Sequence, residues 1–326
     1  MPPAPAAPAR SSSSVACDGE RWAIVEQSPV ARLPGSGSPL EKATEIEMQT
    51  EQFQLHADME DRHWWFVARR RIVGRLVRRV LPASPETTIV DVGCGTGANV
   101  AAFSHDYRCV GIDTSREAIC RARARFPEVE FLVGRAPEDL GDTMHQARLF
   151  LLMDVLEHAP DDFALFSQLL AAARPESCFL ITVPADESLW SQHDVSFGHY
   201  RRYDRRRLEQ LWADLPVDTL LASYFNTRMY PLVRTVRAIT RRRGRASGRA
   251  GTDFWTPPAP VNRLLEAVFA GEVKVLVNLL EGRRRHGYRA GASLVALVRR
   301  REGPVSVRSR PEHIAPDQCP AEAALH

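Results

Sequence analysis

Seven residues constrain this chain more than any other feature. Asp91-Val-Gly-Cys-Gly-Thr-Gly97 follows a short apolar run, Thr88 to Val92, and precedes a helical pattern that starts near Ala98. A run of five residues that is β-branched apart from Asp91 and is followed by glycines reads as a buried strand. Glycines in the turn after it permit positive φ and let backbone N–H groups approach a ligand closely. The carboxyl end of a first strand is where doubly wound sheets place a cofactor.

The pattern downstream agrees with that placement. A helix from Ser115 to Arg125 separates strands Cys109 to Asp113 and Glu130 to Val133, and a helix capped near Asp161 separates Leu149 to Asp154 from Cys178 to Val183. Val217 to Tyr224 and Ser293 to Arg299 supply two further strands. Alternation of this kind predicts an α/β fold with a doubly wound, mostly parallel seven-stranded sheet and helices on both faces. Ahead of it, Ile72, Val73, Leu76, Val77, Val80 and Leu81 form the stripe of an amphipathic helix that Pro82 ends.

Two cofactor classes compete for the glycine loop. Gly93, Gly95 and Ala98 also satisfy the dinucleotide fingerprint G-x-G-x-x-A. Asp91, just ahead of the first glycine, distinguishes them, because its carboxylate favours a cationic ligand and not a pyrophosphate. The next strand ends in Asp113, where a carboxylate can accept both hydroxyl protons of a ribose.

With Gly97 and the run Asp-Val-Leu-Glu-His over 154–158, the loop resembles that of class I S-adenosylmethionine-dependent methyltransferases, the group that includes the ubiquinone and menaquinone biosynthesis enzymes. The resemblance covers about residues 60–300. It implies a Rossmann-like methyltransferase fold with S-adenosyl-L-methionine as cofactor. Asp91, Gly93, Cys94, Gly95 and Gly97 would hold its methionine part, Asp113 and the adjoining Thr114 its ribose, and Met153, Asp154, Val155 and His158 would flank the sulfonium. Many relatives carry Gly-Asp-Ala before an acidic pair; here Arg135 replaces that Asp, which leaves Glu138, Asp139 or backbone to contact the adenine.

A sulfonium is already an activated electrophile, so the protein has mainly to align the acceptor and exclude water. A base is needed only for a poorly ionised acceptor. The segment Leu189-Trp-Ser-Gln-His-Asp194 with His199-Tyr-Arg-Arg-Tyr203 is too dense in titratable and aromatic groups for a solvated linker. It resembles a signature in one subgroup of these enzymes, in which it lies over the donor methyl. His193 and His199 are the candidate bases or orienting groups, Arg201 or Arg202 would grip an anionic acceptor, and Tyr203 completes the candidate catalytic set. His63-Trp-Trp-Phe66 resembles the aromatic start of that subgroup's lid helix, where a ring could meet the sulfonium. Asp154-x-x-Glu157-His158 resembles the E-x-x-E-H that ligates a divalent cation in ubiquinone-type O-methyltransferases, but metal-free relatives carry the same letters, and no metal site is assigned on sequence.

The 326 residues suffice for one domain with an appended subdomain. Residues 1–48, rich in Pro, Ala, Ser and Gly, are expected to be a disordered tail, 49–300 the methyltransferase domain, and 301–326 a second tail. A helical insertion over about 225–288 precedes the last strand, and between Phe225 and Ala250 it carries eight arginines and no acidic residue. That charge, near apolar Val233, Val236 and Ile239, suits peripheral contact with an anionic membrane or a cover over a lipid-like acceptor. Nucleic acid is disfavoured because no reader motif accompanies the charge. Six cysteines without a CxxC pair read as free thiols, and no unbroken apolar run reaches the ~18 residues of a membrane span, so a cytoplasmic protein is expected. The expected function is methyl transfer to a small or lipid-like acceptor, at oxygen. Its rivals are a donor-binding scaffold without turnover and an NAD-dependent oxidoreductase.

Overall fold

The computed structural model describes residues 57–243 and 256–310. The expected tail over 1–48 therefore lies outside the described residues. Seven strands form one sheet: β1 (Ser84–Val92), β2 (Tyr107–Asp113), β3 (Glu130–Val133), β4 (Ala147–Met153), β5 (Cys178–Pro184), β6 (Val217–Phe225) and β7 (Ser293–Arg300). Their spatial order is β3-β2-β1-β4-β5-β7-β6. The pairs among β1 to β5 are parallel, while β7 runs antiparallel to both β5 and β6. The doubly wound, mostly parallel fold read from the sequence is the fold observed.

Two sets of buried side chains sandwich the sheet, as strict alternation along buried strands requires. Ile89, Leu149, Leu151, Leu180, Val295 and Leu297 face one layer; Val90, Phe150, Leu152, Phe179, Ile181 and Leu294 face the other. Helix α1 (Trp64–Val80) packs on the first layer through Ile72, Val73, Leu76 and Val77. It begins five residues before the expected start at Arg69, because the His63 side chain accepts from the Trp65 N–H at 3.3 Å and caps it. Helix α2 (Arg116–Arg125) is capped by Ser115, and α3 (Asp162–Ala172) by Asp161. α4 (Arg205–Gln210) follows the loop after β5, with Asp204 as its cap.

Among the described residues, three helices lie between β6 and β7: α5 (Tyr230–Arg243), α6 (Ala259–Ala270) and α7 (Val273–Leu280). α6 packs on α1, where Asn262 accepts from the Trp64 N–H and donates to the Arg62 carbonyl. Phe269 of α6 and Leu276 of α7 are fully buried in the first layer. α6 and α7 are thus built into the helix layer.

One expectation needs correction. The chain beyond 300 is held as far as Arg310: the Arg308 N–H donates to Ser167 Oγ, and Ser309 Oγ and the Arg310 N–H donate to Asp161, so the expected tail from 301 is a packed strap in its first part. Cys94, Cys109 and Cys178 are free thiols, as expected. Cys17 and Cys319 lie outside the described residues.

Candidate active site

The carboxyl ends of β1, β2 and β4 converge on the glycine loop. Gly93, Gly95 and Gly97 all take positive φ. At Gly97 a Cβ would sit 2.7 Å from Phe131 Cζ, so both conformation and space demand glycine. Gly95 faces open space, with nothing within 4 Å of a Cβ position. Gly93 and Cys94 donate to the Ile112 carbonyl, which ties the loop to the end of β2. Cys94 is buried, and burial pushes its thiol well above the usual range, so it packs and does not react.

Asp91 is 1% exposed, and neither of its carboxylate oxygens has a hydrogen-bond partner among the described residues. Burial, opposed by Arg69 and reinforced by Glu60 and Asp113, holds its carboxyl well above the ordinary value of 3.8. An orphaned buried carboxylate is costly and calls for a partner. A cationic group of a ligand lodged in the loop supplies one.

Asp113 is arranged differently. One oxygen accepts from the Gly95 N–H at 2.9 Å and the other from the Ser115 N–H at 2.8 Å, so the carboxylate shapes the loop. Thr114 beside it is exposed. Glu138 and Asp139 are also exposed, but Asp139 accepts from the Arg135 N–H at 2.7 Å and closes its own turn. Met153 is buried at the end of β4, and Val155 packs within 2.8 Å of the Cβ position of Gly93.

Sequence reasoning missed the groups that close this end. Glu60 is buried, accepts from Thr96 Oγ1 at 2.5 Å and pairs with Arg125 at 2.7 Å, so residues 57–62 are latched to the loop. Arg69 is buried, lies 4.2 Å over the Trp65 ring, and pairs with Asp154. Asp154 adopts φ 59 and also accepts from Thr182 Oγ1. The available signal was a charged residue on the apolar face of α1, one turn before Ile72 and Val73. Trp64 meets Phe269 edge-on, so the aromatic start of α1 is largely occupied with packing.

The loop after β5 is organised by one carboxylate. Asp194, fully buried, accepts from His199 Nδ1 at 3.0 Å and from Arg202 Nε at 2.9 Å, and pairs with Arg237 of α5 at 3.0 Å. These partners outweigh burial and hold its carboxyl well below the usual range. Arg237 was a further unpredicted participant, drawn from the basic insertion.

Two members of the candidate catalytic set are structural instead. Tyr203 is fully buried, and its hydroxyl donates to Asp162 at 2.7 Å. Arg201 spends its guanidinium on the carbonyls of Leu156, Ala159 and Pro160, which fixes the turn that carries Glu157 and His158. Arg202, committed to Asp194 and the Ala185 carbonyl, is equally unavailable to an acceptor. The density of charge that marked this loop is an internal network.

Three histidines remain together at the turn after β4. The His158 and His199 rings meet edge-on at 4.7 Å, and those of His193 and His199 lie 6.4 Å apart. Burial, with Arg237 nearby, lowers His193 to about 3, so it is a neutral imidazole at neutral pH. Glu157 is fully buried, and both its oxygens are unpartnered among the described residues.

A methyltransferase domain family matches residues 64–227, which span α1 through β6 and contain the glycine loop, Asp113 and the 154–158 turn. The chain belongs to this methyltransferase family. It is similar to the trans-aconitate 2-methyltransferase of Azoarcus sp. strain BH72, 32% identical over 121 residues, 36% of this chain and 46% of that protein. It is also similar to that of Methylobacterium radiotolerans, 31% identical over 123 residues, 36% of this chain and 45% of that protein. These matches span less than half the length of the curated relatives. Among solved structures, the complex between the Haloferax volcanii Trm112 methyltransferase activator and a methyltransferase contains a chain with TM-score 0.50 and 18% identity, matched over 81% of this chain and 99% of that one. This likeness concerns the fold. Within the family, S-adenosylmethionine is the expected cosubstrate, and the orphaned carboxylate of Asp91 fits its cationic methionine end.

Proposed function

We propose that this protein transfers the methyl group of S-adenosylmethionine to an oxygen of a small acceptor. The observation that carries the donor half is Asp91, a buried carboxylate with no partner at the mouth of a glycine loop. When bound, the donor supplies the methyl electrophile. The chain aligns and shields it with Asp113, the loop amides and the Arg69–Asp154 pair.

On the acceptor side, His193 and His199 line the approach. Trans-aconitate, the compound for which the two relatives are named, is a polycarboxylate. A carboxylate acceptor is ionised at neutral pH and needs no base, which suits the neutral His193 as an orienting group. For a hydroxyl acceptor, His199 is the better base, because Asp194 engages its Nδ1 and leaves Nε2 for the substrate. Transfer of labelled methyl to di- and tricarboxylates, quinol-like compounds and lipid-linked compounds tests the acceptor class. Preference for carboxylates supports this assignment, and transfer to lipid-linked compounds alone overturns it. His193→Ala is expected to lower turnover while S-adenosylhomocysteine binding stays normal; unchanged turnover would remove His193 from the acceptor side.

The lipid-like alternative rests on a separate observation. Leu232, Val236 and Ile239 of α5 are 52%, 41% and 43% exposed at i, i+4 and i+7, with Arg234 exposed beside them. No helix among the described residues is long and apolar enough to cross a membrane. The stripe suits peripheral contact with an anionic bilayer. Sedimentation with anionic vesicles at low salt, lost in Leu232→Ser, supports that contact; its absence at low salt contradicts it.

A further inference from the structure

Glu157, His158 and His199 each offer one ligand atom, and these atoms all lie within 4.8 Å of one another. The geometry points to a site for a divalent transition-metal cation on this trio. The inference deepens the proposed acceptor side and rests on that assignment for its role, though not for its existence; with metal bound, His199 Nε2 is a ligand in place of the base it would be for a hydroxyl acceptor.

Four observations carry it. Glu157 is fully buried, yet neither carboxylate oxygen has a partner among the described residues, a cost that a bound cation would relieve. Asp194 engages His199 at Nδ1, which fixes the ring and leaves Nε2 as the ligand atom, the arrangement of a carboxylate supporting a metal-bound histidine. His158 meets His199 edge-on on the more exposed side of the group. Arg201 clamps the carbonyls of Leu156, Ala159 and Pro160, so the turn that presents Glu157 and His158 is fixed from beneath.

Two imidazoles and one carboxylate form a donor set suited to Zn²⁺, Co²⁺ or Mn²⁺, and three protein ligands leave a position open. A tetrahedral shell with bonds of about 2.0–2.2 Å places donor atoms about 3.4 Å apart, so side-chain rotations of about an ångström close the set. Asp154, the first acidic residue of the D-x-x-E-H run, is not in the trio, because it is held by Arg69 and Thr182. His199, 41 residues further along the chain than His158, takes the third position. The open position would meet an acceptor oxygen, a task that Arg201 and Arg202 cannot perform while bound internally.

Calorimetric titration of tag-free, chelator-treated protein with Zn²⁺, and visible spectra with Co²⁺, test the site without reference to activity. The expected result is one equivalent bound and a tetrahedral Co²⁺ spectrum. Glu157→Gln and His199→Asn should each weaken Zn²⁺ by more than the roughly 10- to 100-fold typical of losing a supporting partner, while Asp154→Asn leaves affinity within a few-fold. Absence of binding in protein that still binds S-adenosylhomocysteine overturns the site alone. Binding unaffected by Glu157→Gln and His199→Asn, or abolished by Asp154→Asn, overturns this ligand assignment. Failure to bind S-adenosylhomocysteine while Zn²⁺ binds removes the donor assignment and leaves the metal site standing.

Discussion

The donor end and the acceptor end of this site are built from different materials. The donor end is a backbone device: three glycines with positive φ, amides tied to β2, and one carboxylate at each of two strand ends. The acceptor end is a side-chain device, in which Asp194 alone joins His199, Arg202 and Arg237. A backbone device tolerates little change in conformation but has an unmet charge waiting for a ligand. A side-chain network is largely satisfied internally, and most of its charge serves position.

The contrast is sharpest at Asp194. Asp194→Ala leaves two arginines without their buried carboxylate and is expected to cost about 3–5 kcal/mol, seen as a large fall in Tm. A stable variant that loses only turnover would mean that the network is catalytic and not structural.

Asp91→Asn should act in the opposite sense on stability. The Asp91 carboxyl is raised above its ordinary value of 3.8, so its charged form disfavours the fold, and the cost develops as pH rises from that value toward the folded pKa. Asparagine removes the cost, so Tm at neutral pH should rise, with the gain vanishing below about pH 4. Donor affinity should fall by about 10- to 100-fold, the scale of one charge-assisted hydrogen bond. In the native protein, affinity for the donor should decline as pH falls, because a protonated Asp91 no longer attracts a cation.

Gly97→Ala places a Cβ against Phe131 at positive φ, and strain of about 1–3 kcal/mol is expected, with donor binding lost first. Retained S-adenosylhomocysteine affinity would show that the loop is softer than a backbone device should be. Tyr203→Phe is the mildest change: loss of the bond to Asp162 should lower stability by about 1 kcal/mol and leave turnover unchanged. Turnover lost at constant Tm would return Tyr203 to the chemistry.

Legibility in the sequence follows the same division. Strands of alternating burial, a glycine loop and an acidic strand end are local patterns, so the sheet and the positions of Asp91, Gly97 and Asp113 are legible in the order of residues along the chain. The acceptor end depends on pairings between distant residues, such as Arg237 with Asp194 and Glu60 with Thr96 and Arg125. Periodicity carries no information on such pairs. A crowded loop therefore suggested catalysis at Arg201 and Tyr203, where the charges were fastening one segment to another. Arg69 was hidden for the converse reason, as a charge on a helix face expected to be apolar.

The central claim is that the loop at Asp91 to Gly97 holds a cationic methyl donor and not a dinucleotide. Calorimetric titration of the purified protein with S-adenosylhomocysteine, with NAD⁺ in parallel, tests it most directly. Micromolar binding of S-adenosylhomocysteine alone, weakened in Asp91→Asn, is the predicted result. Binding of NAD⁺ alone, or S-adenosylhomocysteine binding indifferent to Asp91→Asn, would contradict it.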